Sequence, residues 1–372
     1  MFLVEIEKIV QGGFGLGRTQ GKVIFVPHTL PGERVRVEST KVRKDYEVAQ
    51  TFQILQPSPK RIEPLCPYFT LCGGCQFHHI EYDTELEIKR EMFQETLRRT
   101  SGLSSSLADV SIELVHSSPL AYRNRVRFHF SEGQVGFRAA KKSTLVPIVR
   151  CIVCVDEVNR FLLDVRERRI DLGSRGESTV FGYGGKYFWK GGMKEITVEI
   201  LGKQVSFPID SFFQSNVTLL DSLIRNHILP LQGSRILELY GGVGTFGVFL
   251  KENCSFYTMV EEYPRSVEYA RKNLGKGRVK VVQGRVEQWI HQEALYDTVV
   301  IDPPRTGVSI PVREFLTRIC PQTLLYISCN PLTFARDLKF FLHGGYEIRS
   351  CTLYDFYPRT THLEVVCQLE KR

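Results

Sequence analysis

"RILELYGGVGTFGVFL", Arg235 to Leu250, decides the fold. An apolar run ends at Tyr240, glycines crowd the next seven positions, and a second apolar run follows. The order predicts a buried strand, a glycine loop and a helix start. The same alternation continues downstream. "FYTMVEE" (Phe256–Glu262) reads as a second strand and "SVEYARKNL" (Ser266–Leu274) as a helix. "KVVQG" (Lys280–Gly284), "YDTVVIDPPR" (Tyr296–Arg305) and "LLYISCNP" (Leu324–Pro331) supply three more strands. Strands alternating with helices predict an α/β fold, a doubly wound parallel sheet of Rossmann type, over residues 211–372.

The N-terminal stretch reads differently. Residues 1–57 hold about five short strands broken by turns such as "FGLGR" (Phe14–Arg18) and Pro31-Gly32. Val35 and Val37 alternate with Arg34 and Arg36. That pattern predicts a small OB-like β-barrel. The basic residues Lys41, Arg43 and Lys44 lean it toward nucleic acid, against the plainer reading of a ligand-free β-domain. "QPSPKRIEP" (Gln56–Pro64) is a proline-bearing linker. Residues 58–210 form a central, β-rich part. It contains an amphipathic helix near 83–100, with Leu86, Phe93 and Leu97 on one side, that could pack on the C-terminal domain. "AYRNRVRFHFSEGQVGFR" (Ala121–Arg138) predicts a hairpin turning at Glu132-Gly133, and residues 145–210 continue as β-like segments.

Three domains suit 372 residues. A net charge of +8 suggests a polyanionic partner, weakly. No apolar stretch reaches the roughly 18 residues of a membrane helix. "MFLVEIEKIV" carries acidic residues inside its apolar run, so it reads as a strand and not as a signal peptide. A cytoplasmic monomer is expected. Ten cysteines in such a chain point to metal or catalysis more than to disulfides.

The glycine loop is neither GxGxxG nor a P-loop with its lysine. The next strand ends in Glu261-Glu262, where a carboxylate suits ribose hydroxyls. The fourth strand ends in Asp302-Pro303-Pro304. A ribose site without a phosphate cradle suits S-adenosylmethionine. Both Asp302 and Cys329 sit at strand exits, which face the ligand crevice of such sheets. A DPP followed by an aromatic residue would suggest methylation of an exocyclic amine, but here Arg305 follows. A cysteine at a strand exit suits another chemistry. Uracil C5 is a poor nucleophile until a thiolate adds to C6 and makes an enolate. A base must then remove the C5 proton. Late in the chain, "RTTHLEVVCQL" (Arg359–Leu369) offers His362 and Glu364, and Glu364 interrupts an apolar run. Taken alone, Cys329 would more often be a buried structural thiol and Glu364 a surface carboxylate.

These residues carry a resemblance. With "FFQSN" (Phe212–Asn216), "LELYGGVGTFG", "IDPPRTG", "YISCNP" and "THLEVV", the chain resembles the RNA uracil-C5-methyltransferases along essentially its whole length. Within that family it is most similar to the ribosomal RNA type with an iron–sulfur cluster. The resemblance implies Cys329 as nucleophile and Glu364 as proton acceptor. It implies Gln214, Tyr240, Glu261 and Asp302 as cofactor contacts, with Arg305 helping to hold the active site. It implies a TRAM-type RNA-binding fold for residues 1–57, and 23S ribosomal RNA as substrate, with transfer RNA as the alternative. A decayed, non-catalytic RNA-binding protein is a further alternative, opposed by the presence of both Cys329 and Glu364. The chain departs from the family where the loop usually reads CGxGNF: Gly241 and Thr245 replace Cys and Asn. Arg285 also stands where an Asn or Asp often meets the cofactor.

Cys66, Cys72 and Cys75 fall within ten residues, around Gly73-Gly74. Three thiolates so close need a fourth for tetrahedral closure, and both Cys151 and Cys154 in "VPIVRCIVCVDE" qualify. Spacing leaves that choice open, and leaves zinc and iron open. The resemblance implies Cys151 and a [4Fe–4S] cluster. Cys254, Cys320, Cys351 and Cys367 read as core. Arg123, Arg125 and Arg127 alternate with Val126, Phe128 and Phe130, so three arginines share one strand face. RNA phosphate would relieve their mutual repulsion, with Arg138, Lys141 and Lys142 extending the patch.

Overall fold

A computed structural model describes residues 1–100, 111–140, 143–291 and 295–372. The chain divides into two compact units, each made of several segments.

The first unit comprises Met1–Glu95, Gly136–Ile148 and Tyr357–Thr361. Its N-terminal strands β1 (Phe2–Val10), β2 (Phe14–Thr19), β3 (Lys22–Pro27), β4 (Arg34–Val42) and β5 (Tyr46–Gln56) close into a barrel. Closure removes the edges that open sheets must protect. The alternation read from the sequence fills the interior: Val4, Ile6, Ile24, Val26, Val35, Val37 and Ala49 are all buried. Lys41, Arg43 and Lys44 stay exposed on its surface. After the barrel, the helix α1 (Tyr82–Arg99) forms as expected, with Leu86, Phe93 and Leu97 buried. Its buried side also carries Glu85 and Lys89, which the apolar pattern does not announce. They pair at 2.7 Å, and Arg359 reaches Glu85 at 3.4 Å.

The second unit holds an eight-stranded sheet. The chain enters it through β6 (Ile112–Val115). Next come β7 (Arg125–Ser131), then β8 (Gln134–Arg138) and β9 (Leu145–Pro147), whose pairing lies in the first unit. The hairpin turn after β7 forms at Glu132 (φ 52°) and Gly133 (φ 75°), as read. A helix not anticipated among β-like segments, α2 (Asp156–Arg166), follows. Its Val158, Phe161, Leu162 and Val165 keep helical spacing and are buried. The strands β10 (Arg175–Tyr183), β11 (Lys186–Trp189), β12 (Glu195–Ile200) and β13 (Lys203–Pro208) complete the central part.

From α3 (Val217–Leu223) onward the order is β14 (Gly233–Leu239), α4 (Gly247–Leu250), β15 (Cys254–Glu261), α5 (Pro264–Leu274), β16 (Val279–Gln283), α6 (Val286–Trp289) and β17 (Thr298–Ile301). Then come α7 (Ile310–Ile319), β18 (Thr323–Ser328), α8 (Pro331–His343), β19 (Tyr346–Tyr354) and β20 (Glu364–Lys371). The sheet order is β16-β15-β14-β17-β18-β20-β19-β6. The first five strands are parallel, as expected. The sheet continues beyond them, with β20 antiparallel to both β18 and β19. The chain order reverses between β14 and β17, the topological switch where ligands enter such sheets. Among the described residues, no helix is long and apolar enough to cross a membrane.

Candidate active site

The carboxyl ends of β14, β17 and β18 and the start of β20 share one edge of this sheet. Cys329 follows the last residue of β18. Asn330 comes next and caps α8, its side chain accepting from the Leu332 N–H at 3.1 Å. The ladder between β18 and β20 sets Ile327 opposite Val366 and Ser328 opposite Val365. Cys329 directly follows Ser328, and Glu364 directly precedes Val365, so both adjoin the end of this ladder.

The electrostatics agree with that register. Glu364 is 4% exposed, and Cys329 is half-buried. Burial pushes the Cys329 thiol up to about 11, and the Glu364 and Asp302 carboxylates add to the shift. Burial, and then Asp302, raise Glu364 well above the usual carboxylate range. Arg305 opposes the shift at both groups. Asp302 itself is raised to about 7 by burial. Four groups from three chain segments thus act on one another: a thiol, two carboxyls and a guanidinium. Perturbed groups gathered at a switch point are the usual mark of a reaction centre.

The glycine loop lies beside them. Tyr240 takes φ 63°, a left-handed conformation uncommon for a non-glycine residue, and burial raises its hydroxyl. The Glu261 carboxylate accepts from the Gly242 N–H at 2.9 Å and from the Tyr263 N–H at 2.7 Å. Glu261 therefore fixes the loop's backbone, and its remaining lone pairs are available to a ligand. Gln214 is 9% exposed, yet its Oε1 is buried with no hydrogen-bond partner. An orphaned acceptor of this kind fits a donor on an absent ligand. Ser215 and Asn216 beside it are held: the Ser215 carbonyl accepts from the Asn124 N–H at 2.7 Å, and Asn216 caps α3. The residues thus fit S-adenosylmethionine, with a fixed loop, a strand-end carboxylate and an unfilled acceptor.

The departure at Gly241 has a steric cause. A Cβ there would lie 2.6 Å from Met259 Cγ, so Met259 occupies the space a cysteine side chain would need. Arg285 is exposed before α6, paired with Glu287 at 3.8 Å and Glu262 at 4.0 Å. Sequence reasoning passed over Glu238, which is buried, raised to about 8 by burial and accepts the Tyr257 hydroxyl. A carboxylate inside the apolar run "ILEL" was its signal, the same kind of signal that marked Glu364.

The cysteine segment lies in the first unit. Cys66, Cys72 and Cys75 are half-buried, and the Gly74 N–H donates to Cys72 Sγ at 3.4 Å. An N–H aimed at sulfur suits a thiolate ligand. Cys151, in the second unit, is half-buried, and its N–H donates to Asn159 Oδ1 at 2.8 Å; Cys154 is buried. Among the described residues, no three His, Cys, Asp or Glu side chains are gathered as a metal-holding group. Donor type and turn fit a cluster. Of the cysteines read as core, Cys351 and Cys367 are buried, while Cys254 and Cys320 are half-buried.

The arginine row is partly spoken for. Arg125 Nη1 donates to the Ile209 carbonyl at 3.1 Å, and Arg127 pairs with Glu177 at 3.3 Å. Arg138 is exposed, whereas Lys141 and Lys142 lie outside the described residues.

Known proteins resemble this chain. The family model for the tRNA (uracil(54)-C(5))-methyltransferase TRAM domain matches residues 2–60. That for tRNA (Uracil-5-)-methyltransferase matches residues 284–372, which include Asp302, Cys329 and Glu364. An uncharacterized RNA methyltransferase of Aquifex aeolicus is 30% identical, over 98% of this chain and 97% of its own length. One from Treponema denticola is also 30% identical, over 98% of each chain. In structure, the Pyrococcus abyssi tRNA (uracil-54, C5)-methyltransferase in complex with S-adenosyl-L-homocysteine superposes with a TM-score of 0.77. It is 24% identical, over 98% of this chain and 100% of that one. The chain therefore belongs to the RNA uracil-C5-methyltransferase family, and it is an RNA (uracil-5-)-methyltransferase that uses S-adenosylmethionine.

Proposed function

We propose that the enzyme methylates C5 of a uridine in 23S ribosomal RNA through a covalent adduct on Cys329, with Glu364 as the final base. The observation that carries this reading is that β18 and β20 pair up to Ser328 and Val365, so the thiol and the buried Glu364 carboxyl adjoin one end of the ladder and act on each other. Cys329 adds to uracil C6, forming the S–C6 bond and moving the C5–C6 electron pair toward C5 and the O4 enolate. S-adenosylmethionine supplies the methyl group that C5 takes. Glu364 then removes the C5 proton. The electron pair of that C–H bond restores C5=C6, and the S–C6 bond breaks to return the thiolate. A carboxylate with a raised pKa is a stronger base than an ordinary one, which suits removal of a carbon-bound proton. Arg305 favours the ionised form of both groups, as their roles require. Gln214, Tyr240, Glu261 and Asp302 hold and orient the cofactor.

The division of labour follows the sequence. Residues 1–57 grip RNA, residues 58–210 carry the iron–sulfur cysteines and a second RNA contact, and residues 211–372 catalyse. The target base must leave its stack to reach Cys329. Cys66, Cys72, Cys75 and Cys151 are the residues that would hold a [4Fe–4S] cluster, supported by their thiol chemistry and by the Gly73-Gly74 bend. Barrel plus cysteine set favours ribosomal RNA. Transfer RNA is the second reading, favoured by the tRNA substrates named for both family models and for the Pyrococcus abyssi enzyme. The protein works as a cytoplasmic monomer.

The test offers the enzyme ribosomal and transfer RNAs containing 5-fluorouridine, with S-adenosylmethionine present. Fluorine at C5 cannot leave as a proton, so a denaturation-resistant protein–RNA adduct accumulates. It is expected with ribosomal RNA and absent in Cys329→Ala. Adduct on transfer RNA alone selects the second reading. No adduct on either RNA, with cofactor binding intact, refutes the mechanism. Anaerobic purification with iron and sulfide analysis tests the cluster independently; a colourless, iron-free, folded protein rejects it.

A further inference from the structure

The loop that follows β17 carries Asp302 and Arg305, and it ends at the Val308 turn. Its backbone is held from one side by α8, the helix that begins two residues after Cys329. Asn330 Nδ2 donates to the Arg305 carbonyl at 2.9 Å, and the Thr333 hydroxyl donates to the same oxygen at 3.2 Å. Arg336 Nη2 donates to the carbonyls of Thr306 at 3.0 Å and Val308 at 3.3 Å. Asp337 is wholly buried and accepts from the Val308 N–H and the Tyr326 hydroxyl, each at 2.8 Å. Its other oxygen takes Arg336 at 2.8 Å and Arg313 at 3.4 Å. Gly307 (φ 73°) lets this happen, because a Cβ there would stand 2.5 Å from the Asp337 carboxylate.

A buried carboxylate with four donors is a rigid junction, and removing it leaves two guanidinium groups and a backbone N–H without their acceptor. Here the junction joins β18, which ends at the nucleophile, to the loop that presents Arg305. Helix α8 and the loop therefore move as one body with Cys329. We propose that Asp337 and Arg336 are positioning residues: they fix the Arg305 loop on the helix that starts two residues after Cys329, and so set the Arg305 guanidinium against Cys329 and Glu364. Neither side chain need touch substrate or cofactor; both act through the loop. The inference rests on the reading of Cys329 as nucleophile, and it assigns the geometry of the activating charge to residues outside the family's motifs quoted above.

A test free of RNA and cofactor separates this inference from that reading. The alkylation rate of Cys329 by iodoacetamide is followed against pH, by mass spectrometry of the peptide that contains it. The charged groups acting on Cys329 are Glu364 on β20 and Asp302 and Arg305 on the loop after β17, and of these only Arg305 favours the thiolate, with a backbone hydrogen bond acting in the same direction. Arg305→Ala is expected to move the profile up by about one pH unit. Asp337→Asn and Arg336→Met are expected to move it the same way by about half a unit or more, because the guanidinium then wanders. Adduct formation on 5-fluorouridine RNA should slow by about tenfold in both variants while RNA affinity is unchanged. If Asp337→Asn loses its near-ultraviolet dichroism, Arg336→Met, at a half-exposed side chain, carries the decision. Positioning-residue variants with the wild-type alkylation profile, or an Arg305→Ala profile that does not move, overturn the proposal. A wild-type enzyme that modifies no RNA refutes the covalent mechanism instead, and leaves the alkylation comparison standing.

Discussion

At the scale of single residues, the site is a problem of charge. In the proposed mechanism Cys329 becomes a thiolate, yet burial and two carboxylates hold its thiol at about 11. At pH 8 only about one molecule in a thousand then carries the thiolate. Without RNA and cofactor, alkylation of Cys329 should rise about tenfold per pH unit from pH 7 to 10; a plateau near pH 8 would contradict this burial. Glu364 supplies a second measurement. In the alkaline range where Cys329 titrates, Glu364 is ionised and repels the thiolate, so the folded thiol keeps its proton to higher pH. Glu364→Gln removes that charge and should move the alkylation profile to lower pH, while adduct release during methylation stops. The same variant would then show an easier first step and a blocked last one, seen as adduct trapped on ordinary uridine RNA. If Glu364→Gln instead left turnover intact, some other base would remove the C5 proton.

At the scale of elements, what could be read depended on whether a residue broke its local pattern. Cys329 was legible because it ends an apolar strand and meets Asn-Pro, and Glu364 because a carboxylate interrupts Leu363, Val365 and Val366. Asp337 was not, since an Asp within "ARDLKF" looks like an ordinary exposed helix charge; only the fold shows it buried. Gln214 stood out through the motif resemblance, and its orphaned oxygen appears only in three dimensions. The extension of the sheet by β20, β19 and β6 was illegible for another reason. Antiparallel and parallel neighbours obey one period, so order must come from the long-range ladder. Gly241 gives a test at this scale. A cysteine placed there meets Met259, so Gly241→Cys should cost about 1–3 kcal/mol by overpacking, read in chemical denaturation. Adding Met259→Ala should return much of that loss. Equal stability of wild type and Gly241→Cys would mean that Met259 yields, and that the glycine has another cause.

At the scale of the whole molecule, the two compact units are not consecutive in sequence, and this governs what can be cut out. The barrel's central buried cluster comes from residues 4 to 49, while Ile9 and Leu30 pack against Phe77, Ile80 and Ile88. The segment after it is different. The Gly73 N–H donates to the Arg138 carbonyl, and the Gln76 and Phe77 N–H groups donate to the Arg359 carbonyl. The buried Glu85 takes both the Arg359 N–H at 2.7 Å and the Lys89 ammonium. Those partners come from residues 136–148 and 357–361, far along the chain, so the cysteine segment completes its hydrogen bonds only after both are made. A fragment of residues 1–61, which keeps Arg61 on the buried Glu33, should therefore fold alone, though with the low stability of a domain this small. A fragment of residues 1–95 should fold in the barrel only, leaving residues 66–95 unprotected in amide exchange. In the full chain, Arg359→Met should destabilise by about 3 kcal/mol or more, since it strips a buried carboxylate of a partner. Protection of residues 66–95 in the short fragment would show that this segment is self-sufficient and that the later residues merely rest on it.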